Sequence, residues 1–279
     1  MQYIVITGVS SGIGYDAARY LIERGYHVFG SVRKQADAER VQGELGKQFT
    51  PLLFDVTDEV GVQTAVSQMK SILGSQGLTA LVNNAGISTP GPLMHLPIND
   101  LRQQLEINVV SVLNITQALL PLLGAQKNSS ISAGRIINIS SVSGKIAYPF
   151  MGAYAASKHA LEAMSDSLRR ELMLYGIDVI LIQPGTVKTP IINKFDAQIR
   201  KFSQTDYAPI LAQMAKSVVD RKQSALPVAQ ISRTIYKAIS SPRPKTRYPV
   251  PRRWVTGWLL PRWLPDRWMD KMAARKLGL

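Results

Sequence analysis

The sequence contains no cysteine, which excludes disulfides, a thiol nucleophile and cysteine-ligated zinc or iron–sulfur. Histidine is scarce: His27, His95 and His159 are the only imidazoles, and they are scattered. A metal site would have to lean on carboxylates, and no ligand spacing for one is evident, so no metal is expected. No run of about 18 apolar residues occurs, so no membrane-spanning helix is expected. The chain opens MQYIVITG, a strand-like run with no basic, apolar leader ahead of it, and the expected location is the cytoplasm. Acidic residues are few beside basic ones, 19 against 33, for a net charge of +14.

That excess is concentrated. Residues 242–279 hold ten Lys/Arg against two Asp, and all four tryptophans (Trp254, Trp258, Trp263, Trp268) lie there too. A basic domain can signal nucleic acid, but positive charge interleaved with Trp and Leu suits an apolar or interfacial surface better, and no nucleic-acid partner is expected. Three roles for this tail stand open: packing on the domain surface or a neighbouring subunit, peripheral contact at a membrane interface, and closure over a pocket mouth. Pro261 and Pro265 argue against a single long helix.

Ahead of the tail, strand and helix patterns alternate. Strands are expected at 3–7, 27–31, 51–54, 80–83, 135–139 and 178–183. Helices are expected at 12–24, from 59 to about 73, at 101–123 and at 154–175. This alternation implies an α/β fold, a doubly wound parallel sheet with helices on both faces and ligands at the carboxyl ends of the strands. A helical insertion is expected at about 189–226. The reading is one domain over 1–240 with an extension over 241–279; at 279 residues, a single core is ample.

Thr7-Gly8-Val9-Ser10-Ser11-Gly12-Ile13-Gly14 follows the first strand and opens the first helix. Glycines there let backbone amides approach a phosphate, and the helix N-terminus adds its dipole. The second strand ends in Ser31-Val32-Arg33-Lys34. An acidic residue at that place would grip adenosine ribose hydroxyls; Arg33 and Lys34 offer cations instead, which argues for the 2′-phosphate of NADP. Of ten tyrosines, only Tyr154 has a lysine four residues on, Lys158, so the pair shares one helical face. A free tyrosine titrates near 10, and working near neutrality asks for about 4 kcal/mol of phenolate stabilisation, which an ammonium and a nicotinamide cation together could supply.

These motifs resemble the main branch of the short-chain dehydrogenase/reductase family over about residues 1–190. The resemblance rests on Thr7–Gly14, Asp55-Val56, Asn83-Asn84-Ala85-Gly86, Asn108, Ser141, Tyr154-x-x-x-Lys158 and Pro184-Gly185-Thr186-Val187-Lys188-Thr189 standing in order. It implies a Rossmann-type fold and an NADP(H)-dependent oxidoreductase moving a hydride between the nicotinamide and a carbonyl or secondary alcohol. Tyr154 would act as acid/base, Lys158 would lower its pKa and hold the ribose, Ser141 would bond the substrate oxygen, and Asn108 would anchor a relay water. Gly8, Ser10, Ser11, Gly12, Ile13, Gly14, Arg33 and Lys34 would bind the cofactor phosphates. Asp55 and Val56 would flank the adenine, Asn84, Ala85 and Gly86 the adenosine side, and Pro184, Val187 and Thr189 the nicotinamide. Residues 30–34 and 184–190 look most like the steroid- and retinol-dehydrogenase-like subgroup, which implies a bulky apolar substrate. A homodimer or homotetramer is expected, because helices 101–123 and 154–175 carry more apolar surface than one sheet face covers. The competing reading is a catalytically inactive dinucleotide-binding regulator, and intact Asn108, Ser141, Tyr154 and Lys158 weigh against it.

Overall fold

The computed structural model describes residues 1–190, 197–214 and 224–278. Seven parallel strands form one sheet: β1 (Gln2–Ile6), β2 (Tyr26–Val32), β3 (Phe49–Leu53), β4 (Ala80–Asn83), β5 (Arg135–Ile139), β6 (Asp178–Pro184) and β7 (Arg247–Val250), in the order β3-β2-β1-β4-β5-β6-β7. Successive side chains of a strand point to opposite faces, and both faces here are covered. In β1, Ile4 and Ile6 join the core beneath α1 (Gly12–Ile22), while Val5 joins the opposite core with Leu81, Ile136 and Val179. Pro51 and Pro249 sit in the two edge strands β3 and β7, where a missing N–H costs least, and Pro184 is the last residue of β6.

Three elements lie outside the sequence expectation. Helix α2 (Gln35–Leu45) fully buries only Ala38 and Val41, with Leu45 packed on the core at its end, so its periodicity is faint. Strand β7 falls inside the stretch assigned to the extension. It pairs with β6 from Leu181↔Arg247 to Pro184↔Val250, after an unanticipated helix over Val228–Ser240. The sheet therefore runs to Val250, past the boundary set at 240.

The sheet's order reverses between β1 and β4, which places the ligand crevice at their carboxyl ends. From β4 the chain enters α3's neighbour on that face, a long helical run: α4 (Ile98–Leu105), a π turn at Glu106–Val110, α5 (Ser111–Leu119) and a 3₁₀ turn at Leu120–Leu123; α3 itself is Glu59–Leu73. Ile98–Leu123 is long and apolar enough to cross a membrane by length and composition alone. It instead packs beside α3 and α6 (Gly152–Glu171), and its buried Gln104, Asn108 and Thr116 bond to neighbouring parts of the protein. Met164, Leu168 and Leu172 face the core as well.

Of the insertion expected at 189–226, residues 191–196 and 215–223 lie outside the described residues. Ile199, Phe202 and Leu211 form a small cluster with Leu96, Phe150 and Ala153. His95 packs edge-on against Tyr207 of the same region. In the tail, Pro261 lies within a helical piece, between the π turn at Val255–Leu259 and Trp263. The break comes at Pro265, which heads helix α8 (Asp266–Leu277); we number the Val228–Ser240 helix α7.

Candidate active site

The glycine-rich turn holds its shape through backbone conformations and contacts that side chains would spoil. Gly8 and Gly12 have φ of 72° and 61°, left-handed values that favour glycine. A Cβ on Gly14 would collide with the Gly8 carbonyl oxygen and lie 2.5 Å from Asn84 Nδ2. The turn is tied to its neighbours: Gly8 N–H donates to Ser31 Oγ (2.9 Å), and Asn84 Nδ2 donates to the Thr7 carbonyl (2.8 Å). Thr7 Oγ1 accepts from the backbone amides of both Asn84 and Ala85 at 2.9 Å. These bonds bring the β1 and β4 loops together across the switch point. Ser11 precedes α1 and makes no side-chain bond to the amides of its first turn, so those donors remain for an anion. Gly12 lies against Thr189, which brings the loop after β6 to the same crevice.

At the adenosine end, Arg33 has a side chain 70% exposed and sits 3.7 Å from Asp55. Burial pushes the Asp55 carboxyl up, but hydrogen bonds from the Thr57 backbone and hydroxyl, with Arg33 nearby, outweigh it and hold the pKa below the usual value. Lys34 is exposed at the N-terminus of α2. Val56 is buried in the core beneath. A third cation was not foreseen: Arg40 of α2 donates to the Ser10 carbonyl at 2.7 Å. It lies on the helix whose polar pattern hid it.

On the other side of the crevice, Ser141 follows β5, Tyr154 and Lys158 stand on α6, and Pro184 ends β6. Ser141 Oγ accepts from the Ser143 amide (3.1 Å) and lies 3.4 Å from the Pro184 carbonyl. Burial raises the Tyr154 pKa above 10, and a hydrogen bond with the Ser141 hydroxyl works in the other direction. Lys158 is buried and donates from Nζ to the Ile139 carbonyl at 2.7 Å; the nitrogen lies 5.8 Å from the Tyr154 ring centre. Burial pushes its pKa down to about 8, against the pull of the Glu162 carboxylate. The sequence reading has Lys158 lowering the tyrosine pKa. In this state the ammonium is turned to a carbonyl and burial prevails, so the phenol is held neutral. Asn108, in the π turn, is buried: its Oδ1 accepts from Ile87 N–H (2.9 Å), and its Nδ2 donates to the Ile87 carbonyl and to Ser157 Oγ, both at 3.0 Å. A π turn inside an α-helix commonly marks a functional position. Gly86 passes close to this side chain, with a Cβ position 3.2 Å from Asn108 Oδ1. Val187 is buried and bridges to Leu226.

A family model described as short chain dehydrogenase matches residues 2–200. The chain belongs to the short-chain dehydrogenase family. It is 42% identical over 277 residues to an NADPH-dependent 3-dehydrocapnine reductase of Ornithobacterium rhinotracheale, covering 99% of this chain and 98% of that protein. It is 34% identical to human retinol dehydrogenase 16, covering 88% of this chain and 80% of the relative. Among solved structures, a short-chain dehydrogenase from Streptomyces avermitilis superposes with a TM-score of 0.75 at 22% identity, over 99% of this chain and 95% of that one. The protein is an oxidoreductase of this family, acting on small molecules.

One charged group of this short-chain dehydrogenase escaped the sequence reading because it looks like ordinary helix surface. Glu162, one turn beyond Lys158, is almost fully buried. Its Oε1 accepts from Gln183 Nε2 (2.9 Å) and its Oε2 from Arg247 Nε (3.0 Å), with Lys145 Nζ at 3.5 Å. Arg247 reaches Glu162 from β7, the strand hidden in the proline-rich stretch. The carboxylate favours the charged form of Lys158. Lys158 therefore carries its proton below about pH 8 and loses it as the pH rises through that value. Glu162→Gln removes the opposing pull, so the Lys158 titration should move to lower pH, and with it the alkaline limb of the activity profile. An unmoved limb in a folded variant would show that Glu162 does not tune Lys158.

Proposed function

We propose that the protein is an NADPH-dependent reductase of a bulky, apolar ketone, working reversibly on the matching secondary alcohol. The observation that carries the reaction is the placement of Tyr154 and Lys158 on α6 and Ser141 after β5 on one side of the crevice, which offers the proton donor that reduction needs. The residues fit the cofactor. The collision a Cβ at Gly14 would make leaves a cradle only glycine can line, the α1 amides have no side-chain cap, and the end of β2 offers Arg33 and Lys34 with no acid of its own.

When bound, the nicotinamide supplies the hydride to the carbonyl carbon. Tyr154 gives its phenolic proton to the carbonyl oxygen as negative charge builds there. Ser141 offers its hydroxyl to the same oxygen, and two donors converging on developing charge stabilise the transition state. Lys158 holds the nicotinamide ribose and, once turned from the Ile139 carbonyl, favours the tyrosinate left behind. Asn108 anchors the water through which Tyr154 is reprotonated. Arg33 and Lys34 would hold the 2′-phosphate, Gly8 to Gly14 the pyrophosphate, Asp55 and Val56 the adenine, Asn84 to Gly86 the adenosine side, and Pro184, Val187 and Thr189 the nicotinamide. All of the groups on which catalysis rests are present, so nothing favours the inactive regulator.

The test is a panel of ketones and alcohols with NADPH, NADP, NADH and NAD, read at the nicotinamide absorbance. Bulky apolar ketones with NADPH should be turned over, and preference for NADH would overturn the cofactor reading. Arg33→Ala should cost about 1.5–3 kcal/mol of NADPH affinity, the worth of a hydrogen bond to a charged group, and leave NADH binding nearly unchanged. We also propose a homodimer or homotetramer built on the helical faces of 98–123 and 152–171, where Val110 is half exposed. Light scattering at micromolar concentration should give a multiple of the 30.7 kDa chain; a monomer would refute it.

A further inference from the structure

The tail carries an unmatched surface. Trp258 is buried, with the Arg262 guanidinium 4.8 Å from its ring. The tail's other tryptophans are not: Trp254 is 53% exposed, Trp263 82% and Trp268 64%. Leu259, Leu260 and Met272 are exposed beside them. Single exposed apolar residues need no explanation, but a cluster of this kind marks an interaction surface.

Both ends of the tail lie on the substrate side of the sheet. It leaves from the carboxyl end of β7, where Gly185 meets Pro251 and Arg252. Its far end returns through Leu277, which packs on the cluster of Leu96, Phe150, Ala153 and Phe202 around the start of the helix bearing Tyr154. The segment that bears the exposed tryptophans thus starts and ends on the crevice side of the sheet.

We propose that this surface docks on an anionic lipid bilayer. Three features select that partner. Trp is at home at the membrane interface, where an apolar ring with a polar edge is favoured. The break at Pro265 leaves two short helices, Trp254–Trp263 and Asp266–Leu277, which suit lying in an interface rather than crossing it. Arg252, Arg253, Arg262, Arg267, Lys271 and Arg275 are interleaved with the apolar groups, against only Asp266 and Asp270. Trp268, Met272, Lys271 and Arg275 line one shallow groove, apolar and cationic together. A second copy of the chain would meet this face with the same positive charge; phosphate headgroups would neutralise it. Docked in this way, the crevice opens toward the source of an apolar substrate. The inference stands on the tail alone and goes beyond the proposed reaction.

The experiment uses the full chain, sedimented with vesicles of phosphatidylcholine alone or mixed with phosphatidylglycerol. Binding should be strong on the mixed vesicles, weak on the neutral ones, and reversed by added salt, with a blue shift in tryptophan emission. The double variant Trp263→Ser/Trp268→Ser alters only exposed side chains. It should lower partitioning by about tenfold or more while keeping its circular dichroism and its turnover of a water-soluble ketone. Turnover is read separately, so failure of the reaction and failure of docking are distinguishable. A parent protein that stays in the supernatant with mixed vesicles overturns the proposal. So does a double variant that binds as the parent does, or one whose main change is a smaller oligomer, which would make this face a subunit contact.

Discussion

Replacing Tyr154 with Phe should lower turnover by about a hundred- to ten-thousand-fold, the usual contribution of a positioned general acid, and leave NADPH affinity within a few fold of the parent. The substitution removes one oxygen and keeps the ring in place. Burial raises the Tyr154 pKa, and the Ser141 hydroxyl works in the opposite direction. Losing the phenol therefore takes away both the proton and one of the two donors to the substrate oxygen. Steady-state rates with a reducible ketone, together with an NADPH fluorescence titration, measure the two effects separately. Turnover close to the parent would remove Tyr154 from the acid role.

The second large effect is expected at the cofactor loop. Gly14→Ala places a methyl group against the Gly8 carbonyl oxygen and 2.5 Å from Asn84 Nδ2. Neither neighbour yields easily: one is backbone, and the other donates to the carbonyls of Thr7 and Gly8 at 2.8 and 3.1 Å. Relief must come from the turn itself. Overpacking of this kind costs about 1–3 kcal/mol, and the distortion falls where the phosphates bind. The variant should unfold at lower temperature and bind NADPH more weakly by about tenfold or more, since 1.4 kcal/mol is a factor of ten. Parent-like unfolding and binding would mean that the turn adjusts freely and does not cradle the cofactor.

These effects rest on features that were unequally legible in the sequence. The strands β1, β4, β5 and β6 are buried on both faces and read as apolar runs, and their limits follow the sequence expectation closely. Helix α2 and strand β7 did not announce themselves. The first buries two small side chains; the second is an edge strand with only Tyr248 and Val250 turned inward, set among Pro242, Pro244 and Pro249. An edge strand tolerates proline, so a composition that reads as an extension still completes the sheet. Glu162 was hidden for a related reason. A carboxylate at helical spacing from Lys158 looks solvated until β7 covers it with Arg247.

The catalytic half of the site was readable as residue types and spacing, whereas its electrostatics were not. Nothing in Tyr154-x-x-x-Lys158 tells that the ammonium turns to the Ile139 carbonyl, or that the phenol is raised rather than lowered without the cofactor. Those outcomes depend on how deeply the pair is buried, a tertiary property. The tail shows the same division. Its tryptophans were evident, but only the fold separates Trp258, which packs, from Trp254, Trp263 and Trp268, which do not.

The central claim is a direct hydride transfer from NADPH to a carbonyl carbon. It is tested most directly by incubating the protein with NADPH deuterated at C4 of the nicotinamide and a bulky apolar ketone, then analysing the alcohol by mass spectrometry. The account predicts alcohol carrying deuterium at the carbinol carbon from one of the two C4-labelled diastereomers and none from the other. Alcohol formed without deuterium from either would contradict it.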